Sequence, residues 1–301
     1  MKSLLDDLSP YIYGTTRLGD GKLAFEQRVS MARQAMDAGI WFHTSHQYGD
    51  ALAVLRTAFD QDRSSVPKLI FKLHGGTLGE IRHSAADQTG AVGIDHVDLG
   101  QLCIGGALAE DLAAGGSCRE GFRQLKTDGL VRRLVLEVFP WTSAAPLKAL
   151  QGGHLDGVID GVIFYLNPLQ RFAANPLWDL LVERQFPIVA MRTVSGGPVH
   201  QMRDVPGFAW RDYLQKRAVE VAPIFERSGI KDWTEFSVRF AFSFPIVRAT
   251  VGSTGRPEHL KSFLSAIGNL EPLPADIVAE IVALQRRWSD ETDIQAEPWS
   301  M

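Results

Sequence analysis

Residues 24–49 read AFEQRVSMARQAMDAGIWFHTSHQYG, and this stretch holds the unit whose repetition decides the fold. Its first half has helical spacing: Phe25, Val29, Ala32 and Met36 recur at intervals of three or four, which puts them on one face. Gly39 follows in the manner of a C-cap, because glycine enters the left-handed conformation that ends a helix without a Cβ clash. The apolar run Ile40–Phe42 is too short for a helix and reads as a strand buried on both faces. Beyond it His43, His46 and Tyr48 place proton-carrying and proton-accepting groups in the loop that leads to the next helix.

The same alternation runs outward in both directions. Short apolar runs occur at Tyr11–Gly14, Leu69–Leu73, His96–Ile104, Leu134–Phe139, Val162–Leu166, Pro187–Met191 and Ala249–Gly252. Helical stretches lie between them, such as CREGFRQLKTDG, with Phe122 and Leu125 on the buried face and Gly129 at the end, and WTEFSVRFAFSF, stopped by Pro245. Most strands start roughly 30 residues apart, the size of a βαβ unit. Eight strands alternating with helices predict a closed (β/α)8 TIM barrel; at 301 residues the chain is a little longer than the roughly 250 typical of that fold. An open doubly wound sheet is the alternative, but no G-x-G-x-x-G opens the first unit. One domain is expected over 1–301, with a long loop at about 192–215 and a C-terminal segment of its own character at about 249–262.

Charge and cysteine usage narrow the function classes. With 31 basic and 35 acidic residues the net charge is −4, so no partner dominated by electrostatics is implied, neither nucleic acid nor an anionic membrane. The two cysteines, Cys103 and Cys118, make no disulfide framework and point to a reducing compartment. The N-terminal MKSLLDDLSPYIYG has neither a signal peptide's apolar run nor a membrane span, and a cytoplasmic protein is expected.

In such a barrel the reactive groups sit where strands end, because only there do all the backbones converge on one cavity. His43 follows the second strand, with His46 and Tyr48 in its loop; Lys72 and His74 end the third; Cys103 ends the fourth, Glu137 the fifth, and Asn167 follows the sixth. Polar groups beside a packed core are expensive unless partnered, so an ionisable group at four successive strand ends is a signal of chemistry. His43, His74, Cys103 and Glu137 are all acceptable metal ligands. There is no close ligand pair among them, however, and Lys72 brings positive charge into their midst, so no metal is assigned.

The residues now carry a resemblance to the aldo-keto reductase superfamily, spread nearly end to end. YIYGTTRLG (11–19) resembles the family's opening strand, and AMDAGIWFHTSHQYGD (35–50) its segment with Asp-Thr-Ala-x-x-Tyr-Gly. FKL (71–73) is similar to the strand with the family's lysine, and HVDLGQLC (96–103) to the strand that ends in histidine. GLVRRLVLEVF (129–139) and VRFAFSFPIVRATVGSTGRPEHL (238–260) resemble the later strand and the C-terminal cofactor segment. The resemblance implies hydride transfer between NADP(H) and a small carbonyl or polyol. Tyr48 matches the proton donor and Lys72 the lysine that lowers its pKa; His43 stands where the family has aspartate, and Cys103 where it has histidine.

The cofactor path departs further. Glu137 and Val138 occupy the place of the Ser-Asn pair that holds the nicotinamide amide; Ile163 replaces a glutamine, and Met191 the stacking aromatic ring. The phosphate end is kept: the resemblance assigns Gly252, Ser253, Thr254 and Arg256 to the cofactor, with Asn167, and a helix from Pro257 would offer N–H groups to phosphate. His46 and His74 are expected in the substrate pocket. With His43 in place of the carboxylate, Lys72 is expected to have a lowered pKa unless Glu137 compensates across the barrel. Two rival functions use the same residues. One is a lyase, isomerase or epimerase in which Lys72, Tyr48 and His43 move protons next to a carbonyl. The other is a non-catalytic nucleotide- or metabolite-binding protein.

Overall fold

The computed structural model describes residues 5–194 and 210–291, without the side chains of 210–213 and 291. The chain opens with β1 (Tyr11–Gly14), α1 (Phe25–Asp37), β2 (Trp41–Thr44), α2 (Ala51–Gln61), β3 (Leu69–His74) and α3 (Leu78–Val92). It continues with β4 (Leu99–Cys103), α4 (Gly106–Ala113), α5 (Cys118–Thr127), β5 (Leu134–Glu137), α6 (Ala144–Gln151) and β6 (Gly161–Asn167). The last part comprises β7 (Gln170–Arg171), α7 (Asn175–Glu183), β8 (Ile188–Met191), α8 (Trp210–Arg227), α9 (Trp233–Phe242), β9 (Val247–Ser253), α10 (Pro257–Ala266) and α11 (Ala275–Glu291).

The sheet runs β5-β4-β3-β2-β1-β9-β8-β6, and β5 also pairs with β6. That pairing closes eight parallel strands into a barrel and excludes the open doubly wound sheet. Burial on both faces explains the continuous apolar runs: every residue of β1, β2, β5, β6 and β8 is buried. The ninth strand, β7, is a two-residue antiparallel return on β6 that the sequence pattern does not announce. Its turn is held by Asn167, whose side chain accepts from Leu169 N and donates to Gln170 Oε1 and Arg192 O.

The helices follow the apolar stripe. In α1, Val29, Ala32 and Met36 are buried while Phe25 lies at the edge of the stripe, half-buried with the Arg28 guanidinium over its ring. Gly39 and Gly129 take φ of 65° and 75°, the left-handed turn expected after α1 and α5. Of the long loop expected at about 192–215, residues 195–209 lie outside the described residues, and α8 begins at Trp210. Among the described residues no helix is long and apolar enough to cross a membrane.

Candidate active site at the C-terminal mouth of the barrel

Neighbouring strand ends bring the polar residues together. Lys72 on β3 and Gln101 on β4 are register partners, with His43, next to last in β2, and Glu137, last in β5, on either side of them. Lys72 Nζ lies 3.2 Å from Glu137 Oε1, with both side chains almost wholly buried. The same Oε1 accepts from Gln101 Nε2 at 2.8 Å, and Gln101 Oε1 meets His43 Nε2 at 2.6 Å. An unbroken polar line thus crosses the barrel mouth from Lys72 through Glu137 and Gln101 to His43. Met191 and Cys103 flank it, each sulfur 3.9 Å from the Gln101 amide nitrogen.

The electrostatics follow from this geometry. Burial disfavours the Lys72 ammonium, but the Glu137 charge, with smaller effects from Tyr48, Cys103 and Tyr165, outweighs it, and Lys72 holds its proton above the usual lysine range. The lowered pKa expected of Lys72 is not found, because Glu137 compensates: the carboxylate that serves this lysine comes from β5 and not from β2. His43 is pulled down to about 4 by burial and then by the Lys72 charge, so it is neutral near pH 7. Desolvation pushes the Cys103 thiol well above its ordinary range, and the Glu137 charge pushes it further.

Tyr48 lies beside this line, its ring centroid 6.2 Å from that of His43. Burial raises its phenol to about 12, and the Lys72 charge opposes the rise. Its loop is clamped from two sides. Arg28 donates to Leu18 O at 2.6 Å and pairs with Asp50, and Gly19 packs its backbone directly on Tyr48. A Cβ on Gly19 would stand 1.6 Å from the Tyr48 carbonyl oxygen. Gln88 on α3 ties the loop to β3, accepting from His46 N at 2.9 Å and donating to Lys72 O at 2.8 Å. His46 and His74 meet edge to face with centroids 5.4 Å apart, and His74 Nε2 is buried without a hydrogen-bond partner. His74 is also drawn down to about 4, by burial first and then by Lys72.

The residues assigned to the cofactor form a separate group on the rim over β9 and α10. Tyr11 stacks on Phe263 and donates to Gly252 O, while Tyr13 donates to Thr254 O at 2.6 Å. The exposed Ser253 accepts from Arg17 N, and buried Thr254 accepts from Arg256 N through its hydroxyl. Arg256 is the N-cap of α10, and its side chain is exposed. Asn167, by contrast, has its amide engaged in the β6–β7 turn. Val138, Ile163 and Met191 are buried apolar residues, as their types imply. A cavity of about 410 Å³ opens between α4 and α6, with Glu137, Leu136, Trp141 and Lys148 among its walls. Among the described residues no three of the His, Cys, Asp and Glu side chains form a group that could hold a metal ion.

Two glutamines, Gln101 and Gln88, escaped the reading of the sequence. Gln101 had a signal, since it shares strand parity with Cys103 and is a polar residue inside the apolar run LGQLC. Gln88 had none, because nothing on a helix face says which strand end it will reach.

A closed (β/α)8 barrel with a buried lysine, carboxylate and tyrosine at its C-terminal mouth holds these groups where enzymes of this fold carry their active sites. The chain belongs to the aldo/keto reductase family, whose model matches residues 10–286. Solved structures share the fold, among them three aldo-keto reductases. A thermostable aldo-keto reductase in complex with the inhibitor epalrestat is 18% identical, with a TM-score of 0.65 over 92% of this chain and 95% of that one. An aldo-keto reductase from Bacillus halodurans in its holo form is 18% identical, with a TM-score of 0.67 over 93% and 95%. An aldo/keto reductase from Klebsiella pneumoniae, in complex with NADP and acetate, is 17% identical, with a TM-score of 0.67 over 93% and 92%. A comparison with curated protein sequences gives no match.

Proposed function

We propose that this barrel is an NADP(H)-dependent oxidoreductase of a small carbonyl or polyol in the cytoplasm, with the carboxylate of its proton-donor system moved from β2 to β5. The observation that carries this reading is the buried Lys72–Glu137 pair whose lysine charge acts on Tyr48. A general acid must be protonated before the reaction and must release its proton to a developing alkoxide. Tyr48 meets the first requirement at neutral pH, and the Lys72 cation favours the phenolate that follows. Glu137 supports that cation in a site where burial draws its pKa down. His46 and His74 line the pocket side of Tyr48 in this reading, and His43 and Cys103 complete its wall.

The fit of the cofactor differs between its two ends. Arg256 offers a guanidinium to phosphate over the Gly252–Thr254 turn, and in the first turn of α10, where Pro257 has no N–H and those of Arg256, His259 and Leu260 are engaged, Glu258 keeps the backbone N–H. At the other end, Val138, Ile163 and Met191 offer packing but no polar hydrogen to an amide, and Glu137 is engaged with Lys72 and Gln101. When bound, NADPH supplies the hydride. Tyr48, itself buried, supplies the proton.

Titration with NADPH by fluorescence, followed by turnover with a panel of small aldehydes, ketones and polyols, tests the reading. Binding, with turnover that Tyr48→Phe abolishes, supports it. Binding without turnover assigns a non-catalytic nucleotide-binding role. Absence of binding, with the fold intact, turns the assignment to proton-transfer chemistry on Lys72, Tyr48 and His43, a lyase or isomerase.

A further inference from the structure

We propose that Gln101 is a positioning residue that holds His43 as its Nε2-protonated tautomer, leaving Nδ1 as the hydrogen-bond-accepting atom of the ring. The donors and acceptors along the polar line admit one assignment. An ionised carboxylate only accepts hydrogen bonds, and Glu137 carries the charge that pairs with Lys72 at 3.2 Å. Gln101 therefore turns its NH2 group toward Glu137 Oε1, at 2.8 Å. Its carbonyl oxygen then faces His43 Nε2 at 2.6 Å, and an oxygen at that distance requires an N–H on the ring. A neutral imidazole has one N–H, so Nδ1 keeps its lone pair. Burial and the neighbouring lysine both oppose a second proton, so the ring is neutral.

The flipped amide is excluded by the same chemistry. It would set an amide oxygen against a carboxylate at 2.8 Å, two acceptors with no proton between them, inside a site where solvent cannot repair the loss. Cys103 and Met191, each 3.9 Å from the amide nitrogen, are weak sulfur acceptors and do not compete with the carboxylate. The charge on β5 thus reaches β2 as an orientation, relayed through a side chain on β4. His43 can accept a hydrogen bond through Nδ1, and it cannot donate one there. This assignment stands whether or not the barrel transfers hydride.

Long-range 1H–15N correlation spectra of the ligand-free protein, labelled with 15N at histidine, read the tautomer directly. The His43 signals are identified by their loss in His43→Asn. At neutral pH the wild type is expected to show a protonated Nε2 and an unprotonated Nδ1, with no exchange average. Gln101→Met leaves the Lys72–Glu137 pair in place and removes the acceptor, so the single tautomer is expected to give way to a mixture. Glu137→Gln, whose amide can either donate or accept, is expected to loosen the lock in the same way. An Nδ1-protonated or averaged wild-type ring overturns the proposal, as does a wild-type pattern in folded Gln101→Met.

Discussion

Replacing Glu137 by glutamine tests the electrostatic core of the site with a change of almost no volume. In the wild type the pair is buried, Lys72 being 4% and Glu137 9% exposed, so solvent screens the lysine charge little. Removing one partner of a buried pair typically costs about 3–5 kcal/mol, because the remaining charge is left uncompensated. At roughly 2 °C per kcal/mol for a chain of this size, the melting temperature should fall by on the order of 10 °C. The pH dependence supplies the sign. In the wild type the folded pKa of Lys72 lies above its unfolded value, so its stabilisation is complete below the ordinary lysine range and is lost only as pH rises through the folded value. No slope from this group is expected between about pH 6 and 9. In Glu137→Gln burial is opposed only by the smaller effects of Tyr48, Cys103 and Tyr165, and the folded pKa is expected to drop below the unfolded one; the folded state then binds fewer protons, and stability rises with pH. The deficit measured by urea unfolding should therefore shrink from about pH 6 to about pH 9. Adding Lys72→Met removes the stranded charge and should recover most of the loss. A single-variant cost below about 1 kcal/mol, or a double variant no more stable than the single one, would refute the reasoning.

Two further expectations concern the histidine and the loop. His43 is held near 4 in the fold against about 6.5 unfolded, so the unfolded chain binds the extra proton first and stability is lost as pH falls through that window. The loss from this group is roughly 3 kcal/mol, and His43→Asn should flatten the acid limb of a stability-versus-pH curve by that order. Gly19→Ala places a methyl group where the Tyr48 carbonyl lies, and it should cost on the order of 2 kcal/mol or more and displace Tyr48. Gly90→Ala on α3, where a Cβ meets nothing within 4 Å, should be neutral or stabilising in the same unfolding assay.

The barrel was legible because its signals are local. The apolar stripe of α1, Gly39 at φ 65° and the β-run after it are set within one stretch of chain, and the same holds in most later units. The candidate site was legible to the extent that it lies at strand ends: His43, Lys72, Cys103 and Glu137 could be listed without knowing which would touch. The two-residue strand β7 was not legible, because its pairing with β6 depends on a turn built by the Asn167 side chain. Gln101 was passed over although its parity matched Cys103, and Gln88 offered no sign of reaching both the Tyr48 loop and β3.

Local patterns in the sequence are enough to give the eight barrel strands and their order, and therefore which residues stand at the mouth of the barrel. Periodicity and capping are properties of neighbours along the chain, and they need no knowledge of closure. Only the tertiary structure decided the partners. Lys72 could have stood without a carboxylate, as the loss of the family's aspartate on β2 suggested, or found one on another strand. Barrel closure and strand register place Glu137 3.2 Å from its ammonium and set Gln101 between that carboxylate and His43. Contacts between residues so far apart in sequence are fixed by register and closure, which no local pattern encodes.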